Sequence, residues 1–90
     1  MRGIQGQIEL LDQMTAFLKK QIEDYEQSMK ERKSYMNKLD GQGLDVKFMK
    51  GFEQDVETNN RHLKSVIREI EHQQIPRIQR VKRHLMNIRY

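Results

Sequence analysis

Any chemistry in this chain would have to come from three histidines, thirteen carboxylates and three serines, because its 90 residues include no cysteine. That composition excludes disulfides, thiolate metal sites and thiol nucleophiles together. His62, His72 and His84 are spread through the second half, and only Glu69-Ile70-Glu71-His72 has a ligand-like Glu-x-x-His spacing. A carboxylate-bridged di-iron bundle needs two such motifs and two further inward carboxylates. The sequence has one, so Glu69 and His72 read as solvent-facing helix residues. Asp40-Gly41-Gln42-Gly43-Leu44-Asp45 does not match a calcium loop, in which alternating oxygen ligands precede the glycine. Its glycines also lack the Walker lysine pattern of a phosphate loop. Ser28, Ser34 and Ser65 have no strand-turn-helix setting for a nucleophile. The expectation is a chain with no catalytic residues, metal, cofactor or small-molecule substrate, hence not an enzyme.

The elements that would carry these residues are helices. Ile4, Ile8, Leu11, Thr15, Leu18, Ile22, Tyr25, Met29, Arg32, Met36 and Leu39 recur at spacings of three and four, and so do Met49, Phe52, Val56, Asn59, Leu63, Val66 and Ile70. Such a repeat keeps one stripe of a helix against a partner over many turns. Between the two seams, Gly41 and Gly43 can take the positive φ that ends a helix, and Asp45 can cap the next one. Leu44 and Met49 have the spacing of a hydrophobic staple. The sequence therefore predicts an all-α antiparallel helical hairpin forming a single domain over 1–90. Helix one spans about 5–39, the turn 40–44, helix two about 45–74, and a basic C-terminal helix about 76–89.

Folding back about Gln42 places Leu18 opposite Val66, Ile22 opposite Leu63 and Met29 opposite Val56. Tyr25 then lies near Asn59, and Arg32 near Phe52, Glu53 and Asp55. Two readings of these polar seam positions stand side by side: they set the register, or their long side chains simply reach out of a thin seam. Pro76 disfavours helical geometry at Ile75 and predicts a kink or short break. Beyond it Ile78, Val81, Leu85 and Ile88 resume the spacing out of phase, as in a stutter, with packing expected against Ile4 and Ile8.

With 36% hydrophobic and 33% charged residues, and six methionines filling much of the seam, the isolated hairpin has little core. Two features predict association. Leu10, Met14 and Phe17 form a second apolar row that one partner helix cannot cover, and Val46, Phe48, Ile67 and Ile75 fall outside the seam of helix two. Gly51 would permit close approach by another backbone. Pairing with a copy or with a related hairpin would give a four-helix bundle.

Charge is uneven. Residues 1–39 carry seven Lys/Arg against six Asp/Glu, residues 40–75 five against seven, and residues 76–90 five against none. Arg77, Arg80, Lys82, Arg83 and Arg89, with His84, could meet nucleic acid, an anionic membrane or an acidic protein groove. The blander reading is a solvated face that complements a helix C-terminus. Only Tyr90 adds an aromatic there, which argues against single-strand stacking. The amino terminus lacks an apolar signal region, and no window reaches membrane-span length, so the expected compartment is the cytoplasm, with signal-independent secretion as the other route.

The layout of about ninety residues, two long helices and a tight central turn resembles the WXG100, or ESAT-6-like, proteins of type VII secretion. Leu39-Asp40-Gly41 sits where that family carries Trp-x-Gly, with Leu39 in the place of the tryptophan, and Phe48 and Phe52 follow at its aromatic or apolar positions. The resemblance implies a four-helix homodimer or heterodimer and an accessory, chaperone-like or secreted partner role. Helical-hairpin chaperones and needle subunits of other secretion systems share the same layout.

Overall fold

The computed structural model describes residues 3–89, with the side chain of Arg89 outside the described set. It is an all-α hairpin: α1 runs Gly3–Gly41, and the return arm comprises α2 (Val46–Glu69), a π-helical turn (Ile70–Gln74) and α3 (Ile75–Arg89). The rod measures 65 × 17 × 16 Å, two helices thick.

The turn closes as its residues dictate, with one change. Helix one continues through Gly41, and Gly43 alone takes the left-handed conformation there, at φ +73°. The Gln42 amide donates to the carbonyls of Lys38 and Leu39, and that of Gly43 to Asp40, which satisfies carbonyls left over at the helix end. Asp45 caps α2, its carboxylate accepting from the Lys47 amide at 2.8 Å. Met49 is buried and Leu44 half-buried, as a staple across that cap requires.

Because the pivot lies beyond Gln42, the register differs from a fold about that residue. Met29 shares a groove with Lys64, Ile67 and Arg68, not with Val56, and Val56 lies beside Met36, one heptad further along helix one. The core is built from Leu18, Ile22, Ile67, Ile70, Ile75 and Ile78, with Leu11, Tyr25, Met29 and Val66 packed against it. Ile67 and Ile75, expected outside the seam, are in it, while Phe52 is 46% exposed. Asn59 is exposed and Asn60 turns inward instead. On helix one every expected seam position from Ile4 to Met36 is buried or half-buried, as are Gly6, Gln21 and Ser28 beside it, and Leu39 is exposed. Thr15 occupies its seam position by returning its hydroxyl to the Leu11 carbonyl at 3.0 Å.

Pro76 does not break the return arm. A π turn precedes it, in which the Ile75 amide donates to the Ile70 carbonyl. The extra residue brings Ile75, five positions after Ile70, back over the same side, so the apparent stutter is absorbed within a continuous helix. Ile78 is buried and Leu85 half-buried, whereas Val81 and Ile88 remain exposed.

Candidate partner-binding flanks

Two antiparallel helices in contact leave two long edges, and the side chains that share grooves identify each. Along one edge Asp12 pairs with Lys82 at 2.6 Å. Glu26 there shares a groove with Lys64, and Lys33 shares another with Glu53 and Asn60. This is a charged flank. On the other edge Met14 shares a groove with Glu69, Gln73 and Arg77.

That second edge carries the expected apolar row. Leu10, Met14 and Phe17 are all at least half exposed, Phe17 at 65%. Phe48 stands three heptads before Glu69 and so belongs to the same edge; it too is exposed. Gly51 lies one turn beyond Phe48, and a Cβ placed on it would meet nothing within 4 Å. Backbone approach from outside is open at that point.

Several residues of the same edge were not singled out from the sequence as part of one surface. Tyr35 lies three heptads beyond Met14, Leu39 one turn after it, and Phe52 one turn after Phe48. Val81 follows Arg77 by four residues, and Ile88 follows Val81 by seven. All five are exposed. The row begun by Leu10, Met14 and Phe17 in fact continues at the same spacing through Gln21, Asp24, Ser28 and Glu31 to Tyr35, and its polar middle hides it from a search for apolar repeats. The nearby Lys38 ammonium sits 5.2 Å from the Tyr35 ring centroid. Val46 and Met86 are exposed as well, but at other angular positions.

Arg77, Arg80 and Arg83 keep to one side of α3, but not every cation of the basic segment joins them. Arg77 belongs to the apolar flank, Arg80 and Arg83 are exposed, and Lys82 is drawn to Asp12 on the charged flank. Lys82 is therefore a structural tie between the arms and not a free anion contact; its neighbours Ile78 and Leu85 turn it inward. Arg89's side chain lies outside the described residues. An exposed pair, Lys20 and Asp24 at 2.9 Å, raises the lysine above its ordinary range by hydrogen bonding first and charge second.

The polar seam is not joined as the sequence suggested. Asn59 faces out, away from Tyr25, and Arg32 forms no ion pair with Glu53 or Asp55. Its Nη1 and the Asn60 Oδ1 are buried atoms without a hydrogen-bond partner. Glu69, Glu71, His72 and His84 are exposed, and among the described residues no three His, Cys, Asp or Glu side chains are grouped to hold a metal ion. No described helix is long and apolar enough to cross a membrane. The chain matches no protein-family model, no curated protein and no solved structure.

Proposed function

We propose that this chain is a non-enzymatic protein–protein interaction module that associates through its apolar flank. The observation that carries the reading is the row Leu10, Met14 and Phe17, which has coiled-coil spacing yet stays at least half exposed on the hairpin. Exposed apolar groups at seam spacing are stabilised by a further helix laid against them. A homodimer or a heterodimer with a related hairpin would supply that helix and complete a four-helix bundle. The layout of helix, tight turn and helix supports a secretion-associated accessory, chaperone-like or secreted partner role, acting in the cytoplasm or after export without a cleaved signal. The experiment is light scattering with circular dichroism on the Met14→Glu/Phe17→Glu variant. Loss of assembly with helicity retained is expected; assembly equal to the unaltered chain's would refute the reading.

A second reading rests on the exposed Arg77, Arg80 and Arg83 in a segment with five cations and no carboxylate. It makes the chain a binder of nucleic acid or of an anionic membrane surface. Phosphate contacts release counterions, so affinity would fall steeply with salt. Changing the three arginines to glutamine would then abolish binding to duplex DNA or anionic vesicles at low salt, and no binding by the unaltered chain would eliminate this reading.

A further inference from the structure

The apolar flank is divided. At the end of the rod holding the chain termini it presents Leu10, Met14, Phe17, Val81 and Ile88; at the turn end it presents Tyr35, Leu39, Phe48 and Phe52. Between them on helix one lie Gln21, Asp24 and Ser28, with Lys20 hydrogen-bonded to Asp24. Part of helix one on this edge pairs off when read from either direction, whereas Phe17, Asp24 and Glu31 mirror onto the seam residues Arg32, Tyr25 and Leu18. Positions 10 and 39, 14 and 35, and 21 and 28 are equidistant from a point between residues 24 and 25. The pairs are Leu with Leu, Met with Tyr, and Gln with Ser.

Such a sequence suits a twofold axis. An isologous contact brings position i of one copy against j of the other, and j against i. We infer that the occupant of this flank is a second copy of the same chain, lying antiparallel, with the axis through the polar middle near Asp24. Each terminal-end patch then covers the turn-end patch of the partner, and the polar residues meet one another around the axis. This rests on the association reading above and supplies its partner and orientation.

Two further observations select this arrangement. The terminal end, residues 3–20 and 76–89, carries seven Lys/Arg against two Asp/Glu, whereas the turn end, residues 31–57, carries five against six. Parallel copies would set the two basic ends side by side. Antiparallel copies set each against a slightly acidic end, which favours encounter and disfavours the wrong orientation. The area is also sufficient. Nine large apolar side chains, each roughly two fifths to two thirds exposed, offer on the order of 900 Å², one partner's share of a standard interface.

The absence of cysteine makes the orientation measurable, because a single introduced cysteine carries a single spin label. Gln13→Cys and Gln27→Cys label exposed positions on one outer stripe of helix one, Gln13 beside the terminal-end patch and Gln27 in the polar middle, and neither belongs to the apolar row. In the antiparallel dimer the two Gln27 labels are offset along the rod by under roughly 10 Å, and the two Gln13 labels by roughly 35 Å, at 1.5 Å rise per residue. A long Gln13 distance with a short Gln27 distance is the expected result. Short distances at both positions would mean parallel copies, and a monomer by light scattering at concentrations up to about 100 times a micromolar Kd would mean a different occupant; either overturns the inference. Leu39→Glu, at the far end from Met14, should weaken the dimer as strongly as Met14→Glu, since the two share a patch across the interface. Retained dimer affinity in Leu39→Glu would overturn the arrangement, whereas unchanged assembly in Met14→Glu/Phe17→Glu would overturn the association reading itself.

Discussion

Arg32 and Asn60 are the residues at which the hairpin is least satisfied. Arg32 lies between Met29 and Met36 on helix one, and Asn60 lines grooves that hold each of those methionines, which sets the two side chains at the same height in the seam. One offers a donor, Nη1, and the other an acceptor, Oδ1, and both atoms are buried without partners. An unsatisfied buried polar group costs about 1–3 kcal/mol. Asn60→Leu should therefore raise stability by about 1 kcal/mol, seen as a higher melting midpoint; a lower one would mean that the amide is paired in solution and belongs to a register-setting layer. Asp45 makes the opposite case. Its carboxylate accepts the Lys47 amide, so Asp45→Ala should cost about 1 kcal/mol in urea denaturation. Asp40, exposed in the last turn of helix one, should tolerate the same change within about 0.5 kcal/mol.

At the scale of elements, the hairpin was legible where local chemistry and periodicity agree. The seam of helix one, the glycine turn and the Asp45 cap could all be read, because each depends on neighbours within a turn or two. The phase of the return arm could not. A wheel drawn with α-helical period sends Ile75 off the seam and turns Ile70, Gln74 and Ile78 into a stutter; one π turn restores the phase by adding a residue that periodicity has no means to see. The fold-back register has no local signal either: helix one runs through Gly41, Gly43 takes positive φ instead, and the pivot lies beyond Gln42. The π turn raises a question of cause, because Pro76 and the isoleucines both favour it. Burying Ile75 and Ile78 contributes about 1.5–3 kcal/mol each, against about 1 kcal/mol for the hydrogen bond that a regular helix would recover. The isoleucines should win. Pro76→Ala should leave the phase unchanged, so a bismaleimide crosslink between Asp12→Cys and Lys82→Cys, which spans the gap now bridged by the lysine side chain, should form as readily in the Pro76→Ala chain as in the chain that keeps the proline. Failure to form it only in the alanine background would assign the phase to the proline.

The whole molecule is a rod two helices thick, and that shape governs both its stability and what could be read of its surface. Ile70, at 2% exposure, is its most deeply buried side chain, and none of the described residues is fully enclosed. The apolar flank was half visible in the sequence: Leu10, Met14 and Phe17 form a compact row, the polar stretch from Gln21 to Glu31 separates Tyr35 and Leu39 from it, and Phe52, Val81 and Ile88 join it only after the register and the π turn are known. A partner along that flank would bury large apolar side chains that the hairpin alone leaves exposed, so folding and assembly should be coupled. The melting midpoint should then rise by several degrees as concentration increases from about 1 to about 100 µM, because mass action favours the dimer. In Met14→Glu/Phe17→Glu the midpoint should be lower and independent of concentration. A midpoint that stays constant over the same range in the unaltered chain, with full helicity, would mean that the seam around Ile70 holds the hairpin by itself. The apolar flank would then add nothing to folding, and its contribution would have to be sought in binding alone.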